Sequence, residues 1–346
     1  MIDGPACGVG YLGSDREKHV RILVTGGAGY VGSTSAQRII ESGHDVVVLD
    51  SLVLGHRGAV PQEALLVVGD IGDRGLVERT VREHEIDAVL HCAGYSLVGE
   101  SMTKPEQYFA NNVVAGVALL DAIRATGVRR MVFSSSAAVY GAPETTPIEE
   151  TQPLRPINTY GATKVAFESA LTAYARAFGI ATVSLRYFNA AGATDKRGED
   201  HDPETHLIPN ILRSVIDDVP VRVFGDDYPT PDGTCIRDYI HVDDLAAAHL
   251  AALELTATSE PGHLACNLGS GSGFSNLEIL HAAESVVGHG IRYDMGARRP
   301  GDPPVLVASN RRARELLGWE PRHGSLEAII GSAWAWRQAH PRGYPD

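Results

Sequence analysis

VRILVTGGAGYVGS, residues 20–33, joins an apolar run to a cluster of glycines and then to an amphipathic stretch. Val20–Val24 reads as a strand buried on both faces, as in a parallel sheet. About Val31 to Ser42 reads as a helix that ends at Gly43. Strand signals recur at Val46–Leu49, Leu65–Val68, Ala88–His91 and Met131–Ser134, with helical patterns between them at about 73–84 and 105–126. A helix at about 158–178 and a strand at 180–186 extend the series. Strand alternating with helix predicts an α/β, doubly wound parallel sheet of Rossmann type.

Beyond about residue 190 Gly, Pro and Asp become frequent, as in GATDKRGEDHDPETH and FGDDYPTPDGTCIRD. This half is expected to be a smaller, loop-rich α/β lobe, with helices near 207–217, 243–254, 275–287 and 325–339. The expected organisation is an extension over 1–19, a dinucleotide-binding domain over 20–190 and a substrate lobe over 191–346, interleaved across a soft boundary. The extension carries a second GxGxxG at Gly8, Gly10 and Gly13. Without a strand before it or a helix after it, that copy is not read as a phosphate site.

The bulk composition excludes several classes. At 346 residues the chain is long enough for a sizeable core, and 44% hydrophobic with 21% charged residues is ordinary globular usage. A formal charge of −13 makes nucleic acid or an anionic membrane a poor partner. No apolar run of membrane-spanning length and no secretory signal are seen. The four cysteines, Cys7, Cys92, Cys235 and Cys266, form no CxxC pair, so no metal site is expected, and their scarcity fits the cytoplasm.

Gly26, Gly29 and Gly32 sit where the first strand turns into the first helix. There a pyrophosphate can approach the helix N-terminus only if no Cβ intervenes. Asp50 ends the second strand 18 residues after Gly32. Its carboxylate can accept from an adenosine ribose and would repel a 2′-phosphate, so NAD is expected rather than NADP. Asp70, after the third strand, is placed either to meet the adenine or simply to form a turn. Cys92, Ala93 and Gly94 end the fourth strand, where small residues let a cofactor lie against the backbone.

Tyr160 and Lys164 form YxxxK near the start of a helix, on one face. A free tyrosine titrates near 10, too high for a base at neutral pH. A nearby ammonium and a positive nicotinamide ring both favour the phenolate. Ser136 stands 24 residues earlier at the end of the fifth strand, placed to bond the same reacting oxygen. Its other role would be a helix cap, and that of Lys164 a solvated charge.

TGGAGYVGS, SSSAAVYG, YGATK, LRYFNAAGA and DYPTPDGTCIRDYIHVDDLA together resemble the nucleotide-sugar 4-epimerases of the extended short-chain dehydrogenase/reductase family, over about residues 20–340. The resemblance implies a homodimeric isomerase of carbohydrate metabolism, with NAD in the N-terminal lobe and a UDP-sugar in the C-terminal one. By motif, Ser136, Tyr160 and Lys164 match catalytic positions. Gly26, Gly29, Tyr30, Val31, Asp50, Asp70, Ile71, Cys92, Ala93, Gly94, Asn112, Ser134 and Tyr187 match cofactor positions. Asn189, Leu207, Arg237, Arg299 and Asp302 match residues that hold the substrate. Leu306 matches a position that gates the sugar pocket, which is larger when a small residue stands there. The implied reaction interconverts UDP-glucose and UDP-galactose through a transient 4-keto sugar that turns about its diphosphate. UDP-N-acetylhexosamine or UDP-uronate are the alternative substrates; a nucleotide-sugar dehydratase or a non-catalytic NAD-binding regulator are the alternative functions. Three departures stand out. Ser96 replaces a lysine common in the loop after strand four, Thr34 a common histidine and Cys92 a common phenylalanine.

Overall fold

The computed structural model describes residues 19–298 and 302–345. Cys7, Gly8, Gly10, Gly13 and Arg299 lie outside the described residues. The first lobe runs β1 (Arg21–Thr25), α1 (Tyr30–Glu41), β2 (Asp45–Asp50), β3 (Leu65–Val68), α2 (Arg74–Glu83), β4 (Ala88–His91), α3 (Val98–Ser101), α4 (Pro105–Phe109), α5 (Gly116–Thr126), β5 (Arg130–Ser136), α6 (Thr159–Phe178) and β6 (Ala181–Tyr187). Then come β7 (Asn189–Ala191), α7 (Leu207–Asp217), β8 (Val221–Phe224), β9 (Ile236–His241), α8 (Val242–Thr258), β10 (Gly262–Leu268), β11 (Gly273–Ser275), α9 (Asn276–Val287), β12 (Tyr293–Gly296), β13 (Val305–Leu306), α10 (Arg311–Leu317) and α11 (Leu326–Ala339).

Seven parallel strands form one sheet in the order β3-β2-β1-β4-β5-β6-β10. The strand period of two decides its two faces. Ile22, Val24, Val46, Val48, Leu90 and Val132 point to one side, against Ile39 of α1 and Leu245 of α8. Leu23, Val47, Leu49, Val89, Met131 and Phe133 point to the other, against Leu119 and Ile123 of α5 and Phe167 and Leu171 of α6. Burial on both faces is why these strands read as continuous apolar runs.

The later lobe has a small sheet in which β7 and β13 pair β9 in parallel and β11 pairs it antiparallel. β8 and β12 form a separate pair. Helices α7, α9 and α11 share a core built on Ile211, Ile279, Leu280, Ile329 and Ile330.

Three features depart from the expectations. The stretch expected as one helix over 105–126 is broken by a π-helical turn over Ala110–Ala115. The seventh strand, β10, comes from residues beyond 190 and departs from the expected boundary; polar residues at His263 and Asn267 interrupt its apolar pattern. Helix α10 was likewise missed, because four of its seven residues are charged.

Helix α6 carries Tyr160 and Lys164, and its ends are well marked. The Asn158 side chain accepts from the Gly161 amide at 2.8 Å, and Gly179 ends the helix in the left-handed region at φ 66°. Midway along, buried Glu168 pairs with Arg186 of β6 through contacts of 2.6, 3.1 and 3.2 Å. The same carboxylate accepts from Ser135 of β5 at 2.6 Å. Arg186 also donates to the Tyr140 hydroxyl at 2.9 Å, which donates to Asn267 of β10 at 2.6 Å. One buried polar network therefore fixes α6 against three strands.

Candidate active site

The expected cofactor residues gather at the C-terminal ends of β1, β2, β4, β5 and β6, where open α/β sheets bind ligands. The glycines do different work there. At Gly26, with φ +71°, a Cβ would stand 2.5 Å from the Ala93 amide nitrogen. At Gly32 it would stand 2.1 Å from the Gly26 carbonyl, so both are fixed by packing. At Gly29 a Cβ meets only the Gly26 carbonyl, at 3.4 Å. Its glycine is explained by open approach to the N-terminus of α1, which has neither a side-chain cap nor an acid in its first turn. An uncapped, uncharged helix end of this kind suits an anion.

Asp50 is buried, and its Oδ2 accepts from the Ala28 amide at 2.9 Å while Oδ1 accepts from Leu52 at 2.8 Å. The carboxylate is thus locked beside the glycine turn. Asp70 forms a turn in which its Oδ1 accepts from the Gly72 amide at 2.6 Å. Next to it Ile71 is buried. Tyr30 donates to the Gly192 carbonyl at 2.6 Å, tying α1 to the later lobe, while Val31 and Ala93 pack against the two main cores. A dinucleotide fits these residues: an uncapped helix end for its pyrophosphate, a fixed carboxylate for its ribose and a glycine-lined approach between them. Asp50→Ala should therefore weaken NAD and relieve the rejection of NADP, measured by titrating the two cofactors by calorimetry; wild-type protein that carries NADP as purified overturns this reading.

The π-helical turn accounts for Asn112. It brings the side chain onto the loop after β4, where Oδ1 accepts from the Tyr95 amide at 2.9 Å and Nδ2 donates to the Tyr95 carbonyl at 3.0 Å. Nδ2 also donates to Thr163 at 3.1 Å, so the loop is tied to α6. At Gly94 a Cβ would stand 3.2 Å from that Oδ1 and 3.8 Å from Lys164 Nζ. Ser96 is exposed in this loop.

Tyr160, Lys164 and Ser136 come together. Tyr160 sits in the first turn of α6, and its amide donates to Ser101 at 3.1 Å. Burial pushes its hydroxyl up to about 12, and a hydrogen bond with Ser136 offsets part of that rise. Ser136 also accepts from the Ala138 amide at 3.1 Å, so it is both a cap and a partner of the tyrosine. Burial lowers Lys164 to about 8. Its ammonium donates to the Ser134 carbonyl at 2.8 Å, lies 4.6 Å from the centre of the Phe133 ring and 5.5 Å from that of Tyr160. Lys164 is thus directed at the backbone and ring face more than at the phenol oxygen. In the protein alone Tyr160 remains a neutral acid, and a further positive charge is needed to make it a base.

Behind this group runs a buried polar chain that sequence reading missed. Cys92 Sγ lies 3.1 Å from Ser134 Oγ, which lies 2.8 Å from His249 Nε2, and His249 Nδ1 lies 3.2 Å from Ser35 Oγ. Burial raises the Cys92 thiol to about 11 and lowers His249 to about 4, so both are neutral. Tyr187 stands beside His249, with ring centres 6.4 Å apart, and burial raises its hydroxyl well above the ordinary range. Thr34 donates to the Tyr30 carbonyl at 3.0 Å within α1.

On the facing lobe Arg237 and Asp302, both expected to hold the substrate, are paired with each other at 2.5 Å. Asn189 donates to the Asp238 carbonyl at 3.0 Å. Leu306 on β13 is in register with Arg237 on β9 and packs near Ala137, Phe188 and Ala308. Leu207 starts α7 and packs on the core of the later lobe.

The chain belongs to the NAD dependent epimerase/dehydratase family, whose sequence pattern matches residues 22–269. Within that family it falls among the UDP-glucose 4-epimerases. It is 52% identical over 331 residues to the UDP-glucose 4-epimerase of Streptococcus mutans, covering 94% of this chain and 99% of the relative. The crystal structure of UDP-glucose 4-epimerase from Brucella ovis in complex with NAD superposes with a TM-score of 0.88 at 45% identity, covering 91% and 97% of the two chains. That from Bifidobacterium longum in complex with NAD+ and UDP gives 0.89 at 35% identity, covering 94% and 100%. No helix among the described residues is long and apolar enough to cross a membrane.

Proposed function

We propose that this protein is an isomerase that inverts C4 of a UDP-hexose, with UDP-glucose and UDP-galactose as its main pair. The observation that carries this is the grouping of Tyr160, Ser136 and Lys164 at the edge of a dinucleotide cradle. NAD bound in that cradle supplies a reversible hydride acceptor. Tyr160 takes the proton of the sugar 4-hydroxyl and later returns it. Ser136 bonds the same oxygen and keeps it aligned through both transfers. Lys164, anchored to the Ser134 carbonyl, holds positive charge near the phenol and so favours its ionised form. Asn189, Arg237, Arg299 and Asp302 hold the UDP, so that the sugar can turn while its diphosphate stays fixed. Ala137 and Ala138 follow Ser136, so the acid that a dehydratase would need there is absent.

Leu306 sets the size of the swept volume. It is shorter than tyrosine and bulkier than cysteine, which makes the gate intermediate. UDP-N-acetylglucosamine should turn over measurably but more slowly than UDP-glucose, in an assay across UDP-sugars without added reductant. Leu306→Tyr should suppress the N-acetyl activity selectively. Equal losses on both pairs, or a strong wild-type preference for the N-acetyl pair, would remove Leu306 as the gate; no conversion of any UDP-sugar would refute the function.

The active form is a homodimer in the cytoplasm. Cys92, Cys235 and Cys266 form no disulfide, as suits a reducing compartment. One face of the 105–126 region covers the sheet, while Phe109 and Val114 stand 42% and 68% exposed. A second copy of this surface would cover them in a helix-to-helix contact. Light scattering at micromolar concentration should give a dimer, and Val114→Glu should shift it toward monomer. A monomeric wild type sinks this assembly.

A further inference from the structure

Between the two lobes the chain gathers four side chains that the epimerisation chemistry does not use. GEDHDPETH, residues 198–206, lies in the half expected to be loop-rich. It brings Glu199, His201, Glu204 and His206 together, one potential ligand atom from each lying within 4.8 Å of all the others. His206 Nδ1 is 2.8 Å from Glu199 Oε1 and 3.0 Å from Glu204 Oε1. His201 Nδ1 is 3.2 Å from Glu199 Oε1 and 3.8 Å from Glu204 Oε2. Ligand atoms around a tetrahedral ion with bonds of about 2.05 Å stand about 3.3 Å apart, which is the mean scale of these separations.

A second observation points to a cation. The Glu204 side chain is 0% exposed, yet its Oε2 has no hydrogen-bond partner, and neither has His201 Nδ1. At 3.8 Å from each other the two atoms are beyond hydrogen-bond reach. A buried carboxylate oxygen without a hydrogen bond is costly. An ion at the centre would satisfy both atoms at once. The other carboxylate oxygen is already fixed, accepting from the Thr205 and His206 amides at 2.7 and 2.8 Å, as outer contacts fix the ligands of metal sites.

We propose that Glu199, His201, Glu204 and His206 bind a divalent ion of the zinc type in a closed, structural site. Two imidazoles with two carboxylates are the mixed nitrogen and oxygen set that suits such an ion. Its position makes it a fastener. The Glu199 carbonyl accepts from Arg337 of α11 at 2.9 Å, and His201 lies edge-on to Tyr30 of α1 with ring centres 6.4 Å apart. His206 is the residue before α7. The ion would therefore join the start of the cofactor-side helix, the start of α7 and the C-terminal helix.

The test uses untagged, full-length protein purified without chelator. Elemental analysis should find about one zinc-type ion per chain, and His201→Ala and His206→Ala should each cut that to below about a tenth. After chelator treatment, zinc should raise the Tm of the wild type, and Co(II) should give the intense visible bands of a tetrahedral site. Glu204→Gln, which keeps the side-chain shape, should lose both responses. The proposal is overturned if zinc and Co(II) leave the wild-type Tm and spectrum unchanged. It is equally overturned if nitrogen NMR at neutral pH shows both imidazoles doubly protonated in the presence of zinc, since the cluster is then an ion-pair network. Neither readout depends on turnover of a UDP-sugar.

Discussion

Tyr160→Phe lowers kcat by ~10²-fold or more while the UDP-sugar still binds. The substitution removes one oxygen and keeps the ring, whose centre lies 5.5 Å from Lys164 Nζ, so the pocket retains its shape. Without that oxygen neither neighbour takes over the proton of the 4-hydroxyl: Ser136 is too weak a base and Lys164 is turned to the Ser134 carbonyl. The titration of Tyr160 adds a second measurement. Burial holds the phenol up at about 12 in the protein alone. A positive charge in the cradle must bring it down, so tyrosinate absorbance should develop at lower pH with oxidised NAD bound than with the protein stripped of it. Near-normal kcat in Tyr160→Phe would move the base elsewhere.

Glu168→Ala destabilises the protein by about 3–5 kcal/mol, the range for breaking a buried pair by removing one partner. Glu168 and Arg186 are 5% and 7% exposed at their side chains, so the guanidinium left behind cannot be rehydrated. Ser135 also loses its acceptor, and the link from α6 to β5 and β6 fails with it. Because α6 carries Tyr160 and Lys164, the loss should appear in activity below the unfolding transition as well. Urea denaturation of both proteins measures the first effect and kcat at low denaturant the second. A change within about 1 kcal/mol would show that the network does not hold the helix.

The parallel sheet was legible because its strands are buried on both faces. That burial writes itself into the chain as runs such as Ile22–Val24 and Val46–Leu49, bounded by glycine. The grouping of Ser136, Tyr160 and Lys164 was legible for a different reason: Tyr160 and Lys164 are one helical turn apart, and Ser136 ends a strand. The π-helical turn was not legible, since its extra residue leaves no mark in a pattern of small and apolar side chains. Nor was the Glu168–Arg186 pair, whose members read as ordinary helix and strand charges until the fold buries both.

What the sequence by itself determined, then, is the alternation of strand and helix, the glycine turn with Asp50 after it, and the family whose motifs the chain carries. These are local properties of spacing and residue type. Tertiary structure alone decided where each functional group points. It turned Lys164 onto the Ser134 carbonyl, paired Arg237 with Asp302, brought β10 back into the first sheet and folded Glu199, His201, Glu204 and His206 around one point. The reason is physical. Burial and charge pairing depend on which segments meet across the fold, and that information is not contained in the spacing along any one of them.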